Sequence, residues 1–178
     1  MARLVVLLRG VNVGSRNRIS MPELREALAE AGFENVQTYL QSGNVVVTSR
    51  VKPETVARKA EREISSRFGL EIPVVSRTRD ELAEVVKRNP LGKVAAEPKR
   101  HLVTFLSAEL GPEVVAKLES LAASEEGLTV IGREVYSWHP KTIARSRLWA
   151  ELAGKRLGVT ATSRNWTTVR ALLAMADE

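Results

Sequence analysis

Two short strand-like runs, residues 36–41 and 44–49, meet at Ser42-Gly43, and the pair lies between two strongly signalled helices. Glycine supplies the positive φ of a tight turn, so the runs predict a hairpin. Upstream, Ser20-Met-Pro-Glu23 has the spacing of a capping box, in which serine and glutamate satisfy exposed amides of the first helical turn. Leu24, Ala27, Leu28 and Ala31 then share one helical face, and Gly32 is placed to end it. Downstream, Pro53 opens a helix carrying Val56, Ala60, Ile64 and Phe68, and Gly69 closes it. With the buried-strand run 4–9 before these elements and residues 72–76 after them, the order is βαββαβ. This order predicts an α/β (α+β) chain whose N-terminal lobe is ferredoxin-like, with antiparallel strands packed against two helices on one face.

A second capping box, Thr78-Arg-Asp-Glu81, starts a helix that Asn89-Pro90 interrupts, and residues 89–99 read as a linker with two prolines. Beyond it, a strand at 101–106, a helix at 112–122 and a hairpin of 128–131 with 134–138 around Gly132-Arg133 repeat the βαββ order. Two helices follow, one carrying Leu148, Leu152 and Leu157 and one at 165–175. The expected division is a ferredoxin-like lobe with its connecting helix at 1–88, and a degenerate βαββ lobe with two C-terminal helices at 89–178. No sequence repeat is strong enough to establish duplication.

The chain has 178 residues, 44% of them hydrophobic, enough for a packed core, and aromatics are only 4%, so that core rests on Val, Leu, Ile and Ala. Cysteine is absent, which removes disulfides, thiolate metal sites and cysteine nucleophiles. The first apolar run is shorter than a signal-peptide core, and no segment approaches the roughly 20 apolar residues of a membrane span. The expected location is the cytoplasm. Net charge is +6, and residues 139–170 hold seven basic residues against the single Glu151, so the remainder is neutral overall. That asymmetry suggests an anionic partner for the C-terminal part, although solvated helix faces also produce it. Nothing in the pattern marks a dimer.

In a βαββαβ lobe, the exit of the first strand and the turn before the third share one sheet end. Arg9, Asn12, Asn17 and Arg18 therefore face Gln41, Ser42 and Asn44. The loop 10–19 is long for a compact domain and feeds a helix N-terminus, where amides and arginine forks favour phosphate or carboxylate. Gly10 and Gly14 lack the third glycine of a dinucleotide fingerprint, so no nucleotide motif is present. The competing structural explanation is that the amide side chains satisfy loop backbone. Ser163-Arg-Asn-Trp starts the last helix, with Ser163 or Asn165 as its cap, and Arg164 and Asn165 are expected to join the same anion site.

Catalytic signals are few. His101 and His139 have no companion at metal-ligand spacing, Asp80 and Asp177 are the only aspartates, and no Gly-x-Ser-x-Gly elbow occurs. His139 reads as a plain loop histidine. Trp138, Trp149 and Trp166 interleave with arginines as in single-strand binders, but helical neighbours favour core packing for Trp149 and Trp166. Strands one and three carry no stacking aromatics, which weakens an RNA-recognition reading. The leading expectation is a cofactor-free binding module for an anionic small molecule or nucleic acid. A cofactor-free enzyme on such a ligand, or a scaffold protein, are the alternatives.

Three stretches, Leu7-Leu-Arg-Gly-Val-Asn-Val-Gly14, Thr38-Tyr-Leu-Gln-Ser-Gly-Asn44 and Ser163-Arg-Asn-Trp-Thr-Thr168, resemble the signatures of the Domain of Unknown Function 1697 (DUF1697) family, over almost the whole chain. Met21, Leu24 and the segment 145–148 match as well. The resemblance implies a compact α/β fold and no established activity. Ser15 stands where the family usually has a second glycine, and Thr167 where it has an asparagine, which removes one amide if that position touches a ligand.

Overall fold

The computed structural model describes all 178 residues, with six α-helices and two four-stranded antiparallel sheets. The first sheet is built from β1 (Ala2–Leu8), β2 (Glu34–Tyr39), β3 (Asn44–Ser49) and β4 (Val74–Thr78), in the order β2-β3-β1-β4. Helices α1 (Met21–Glu30) and α2 (Pro53–Phe68) supply the two crossovers. Leu4, Val6 and Leu8 of β1 and Val45 and Val47 of β3 form one core with Leu24 and Leu28 of α1 and Val56, Ala60 and Ile64 of α2. Val5, Leu7 and Val46 are buried too, which is why β1 reads as an unbroken apolar run rather than an alternating one.

The caps behave as their sequences dictate. Ser20 Oγ accepts the Glu23 amide at 3.4 Å. Gly69, with φ +65°, ends α2. Thr78 and Glu81 satisfy each other's amides, at 3.1 and 2.8 Å, where α3 (Arg79–Arg88) begins. Residues 89–99 carry no strand or α-helix, and a single 3-10 turn at Pro98–Arg100 leads into the second sheet.

That sheet consists of β5 (His101–Leu106), β6 (Gly127–Ile131), β7 (Glu134–Trp138) and β8 (Ala161–Asn165), in the order β6-β7-β5-β8. Its crossovers are α4 (Pro112–Leu121) and α5 (Arg147–Ala153), and α6 (Trp166–Asp177) follows. Leu106, Val135 and Ala161 of the sheet bury Leu118 of α4 and Leu148 and Leu152 of α5. The strand order reproduces that of the first sheet, so the second half is a complete βαββαβ motif and not a degenerate βαββ one.

The added strand is β8, where the sequence suggested only a loop and a helix start. It pairs antiparallel with β5 from Leu106↔Ala161 to Leu102↔Asn165. Its polar side chains are held inside the sheet: Thr104 Oγ1 and Ser163 Oγ lie 2.7 Å apart, and Arg164 donates to Thr162 Oγ1 at 2.7 Å. The last helix accordingly begins at Trp166, with Asn165 Oδ1 accepting the Thr168 amide at 2.9 Å. Ser163 is a strand residue.

By compactness the chain divides into Met1–Glu84 with Ala171–Glu178, and Val85–Arg170. No helix is long and apolar enough to cross a membrane.

Candidate functional site

The loop after β1 and the turn before β3 meet at one end of the first sheet. Leu8 N donates to Gly43 O at 2.9 Å, and Asn12 Nδ2 donates to Gln41 O at 2.6 Å. Gly43, with φ +86°, sits so close to β1 that an added Cβ would lie 2.6 Å from Leu8 Cβ. Only glycine fits there, because both the backbone conformation and the space exclude a side chain.

The amide side chains of the loops are occupied internally. Asn12 holds the two ends of its own loop together, with Oδ1 accepting Ile19 N at 2.9 Å and Nδ2 also reaching Ile19 O at 3.0 Å. Asn17 Nδ2 donates to Gly10 O at 3.1 Å. Asn44, fully buried, donates to Tyr39 O at 3.1 Å and Ser42 Oγ at 3.0 Å. Asn12 and Asn17 both adopt positive φ, a conformation asparagine tolerates better than most residues. These three asparagines therefore fix the shape of the loops, the structural role weighed for them from sequence.

Cations and two apolar side chains are what the loops present outward. Arg16 and Arg18 are exposed and Arg9 is half-buried. Arg18 donates one guanidinium nitrogen to Gly14 O at 3.1 Å, which ties the side chain to the loop it belongs to. Gln41 and Ser42 are exposed beside them in the chain. Val13 and Leu40 are exposed at 65% and 61%, and Leu40 holds φ +57°. Such a conformation costs a non-glycine residue roughly 1–3 kcal/mol and persists only where the surroundings impose it. Sequence reasoning passed over Arg16, Val13 and Leu40. Their signal was an apolar residue inside each of the two motif stretches with no helical or strand periodicity to explain it.

Arg164 and Asn165 belong to the second unit. Arg164 is buried in β8, also donates to Ser163 O at 2.9 Å, and burial pushes its guanidinium pKa down to about 10, so it remains charged at neutral pH. Two of the three tryptophans are core residues: Trp166 is stacked on His101 with ring centroids 4.5 Å apart, and Trp138 is buried with Arg100 over its ring at 5.8 Å. Trp149 packs against the α4–α5 core. None of the three forms an open stacking platform of the kind single-strand binders use.

His139 lies in the loop just past the end of β7, as expected, but it is buried and bonded rather than a plain loop side chain. Its Nδ1 lies 2.5 Å from Glu126 Oε2 and its Nε2 lies 2.9 Å from Ser137 Oγ. Ser146 Oγ donates to the same Glu126 oxygen at 2.6 Å and accepts the Trp149 amide at 3.0 Å. Burial acts to raise the Glu126 pKa, but hydrogen bonds from Ser146, the Ala123 amide and His139 outweigh it and hold the carboxyl below its ordinary value. The Ser137–His139–Glu126 connectivity matches that of a hydrolytic triad, yet Ser137 has no solvent exposure and cannot reach a substrate. The network instead fastens the segment after β7 to the sheet.

Comparison with known proteins agrees with this architecture. The family model described as "Protein of unknown function (DUF1697)" matches residues 1–136. The conserved bacterial protein SP0830 from Streptococcus pneumoniae superposes with a TM-score of 0.80 at 23% identity, covering 98% of both chains, which establishes a shared fold. Curated protein sequences give no match.

Proposed function

The chain belongs to the DUF1697 family, and from that premise we propose that it is a binding module for a phosphate-bearing ligand, a free nucleotide or the backbone of a nucleic acid. The observation that carries this reading is the braced loop pair. Asn12, Asn17 and Asn44 hold the loops in one shape, and that shape presents Arg9, Arg16 and Arg18 with exposed Val13 and Leu40. Guanidinium forks pair bidentately with phosphate oxygens, and a rigid loop lowers the ordering entropy that binding must overcome. The apolar pair offers a surface for a base or sugar. Gln41 and Ser42 supply neutral hydrogen-bonding groups at the same turn.

The test is fluorescence anisotropy with a labelled oligothymidine, competed with ATP. Binding is expected to weaken as salt rises, and Arg16→Ala with Arg18→Ala lowers the log–log salt slope by about 0.7 for each phosphate the protein no longer neutralises. ATP consumed during the titration would indicate an enzyme. If neither probe binds, or the double variant binds as wild type does, the loops serve only the fold.

A further inference from the structure

In the second unit the basic stretch after β7 borders a cavity of about 410 Å³. That volume falls in the range of pockets that take small molecules, roughly 300–1,000 Å³. The wall is divided by chemistry. Leu121, Ala123 and Pro140 are apolar, whereas Lys141, Arg145 and Arg147 are cationic. The two carboxylates in the wall are already engaged. Glu126 is held by His139, Ser146 and the Ala123 amide, and Glu125 pairs with Lys141 at 3.4 Å and accepts from Ser124. The guanidiniums of Arg145 and Arg147 have neither a hydrogen bond nor an ion pair within the chain.

We propose that this cavity is a second binding site, for a small phosphomonoester whose organic group lies against Leu121, Ala123 and Pro140 and whose phosphate is gripped by Arg145 and Arg147. Two uncompensated guanidiniums match the charge of a phosphate dianion, and its three terminal oxygens accommodate two forks. The buried network anchors the backbone from which the two arginines project. His139 fixes Glu126, Glu126 fixes Ser146, and Ser146 lies between the two arginines in sequence and caps the turn that follows. His139 and Glu126 are thus positioning residues. The proposal is one of binding alone, and no bond is made or broken.

Titration with phenyl phosphate, followed by calorimetry and by backbone amide shifts, tests this. The expected result is saturable binding with shifts concentrated in residues 139–147 and no binding of benzyl alcohol. The Arg145→Ala/Arg147→Ala variant should bind at least tenfold more weakly with Tm unchanged, and Arg145→Lys/Arg147→Lys, which keeps the charge without the fork, should fall between. Absence of saturation, or an affinity unchanged in the alanine pair, overturns the proposal. Binding lost in Arg16→Ala/Arg18→Ala but retained in the Arg145/Arg147 pair also overturns it, and assigns the phosphate to the loops of the first unit. The reverse pattern separates the two sites, because the nucleotide reading then stands or falls on its own titration.

Discussion

Single residues carry more of this fold's polar bookkeeping than its apolar patterning suggests. His101 is buried in β5, stacks on Trp166, and leaves Nε2 without a hydrogen-bond partner. Burial disfavours the charged ring and lowers its pKa below the ordinary 6.5. The unfolded chain therefore binds the proton more readily, so stability is greatest above pH 6.5 and declines as pH falls from there toward the folded-state pKa. A His101→Phe variant keeps the stacked ring and removes both the titration and the orphaned nitrogen. In urea denaturation across that window, its stability relative to wild type should rise as pH falls. A constant difference at all pH values would contradict the assignment. The asparagines teach the complementary lesson. Their presence in loops was legible, but whether an amide faces a ligand or a carbonyl is decided by which backbone group lies within about 3 Å, and no spacing rule reports that.

At the scale of elements, the first lobe was readable because its signals are local and redundant. Caps, proline, glycine and apolar period agree in α1 and α2, and β1 and β3 appear where their patterns place them, whereas β2 runs two residues earlier than expected and the hairpin turn covers residues 40–43. Strand β8 was not readable. Ala161–Asn165 is short and mostly polar, and it is stabilised by partners from β5 that lie far earlier in the chain, so its residues look like a loop followed by a cap. The cavity of the second unit was hidden for a similar reason. Its wall combines the end of α4, the turn before β6 and the segment after β7, and only the excess of basic residues hinted at it. The hairpin also bears the sharpest mechanical constraint. Gly43→Ala must accommodate both a strained φ and a Cβ pressed on Leu8, which should cost about 3 kcal/mol in chemical denaturation. A loss under about 0.5 kcal/mol, the usual scatter of surface substitutions, would mean the turn is freer than its geometry implies.

For the molecule as a whole, the recurrence of one strand order in two sheets shows a chain made from two βαββαβ motifs, although sequence alone gave no basis for asserting duplication. The shared topology makes the contrast between the units informative. One has its cations on loops at a sheet end, and the other has them around a cavity beside its β6–β7 hairpin. Net charge, which resides in residues 139–170, therefore did not by itself locate the loop arginines, and the loop motifs gave no hint of the cavity. Whether the braced loops of the first unit hold a phosphate-bearing ligand, as proposed, is read most directly from an amide chemical-shift titration of the intact chain with ATP. Saturable shifts should cluster at residues 9–19 and 40–44; shifts confined to other parts of the chain, or none at saturating nucleotide, would rule the site out.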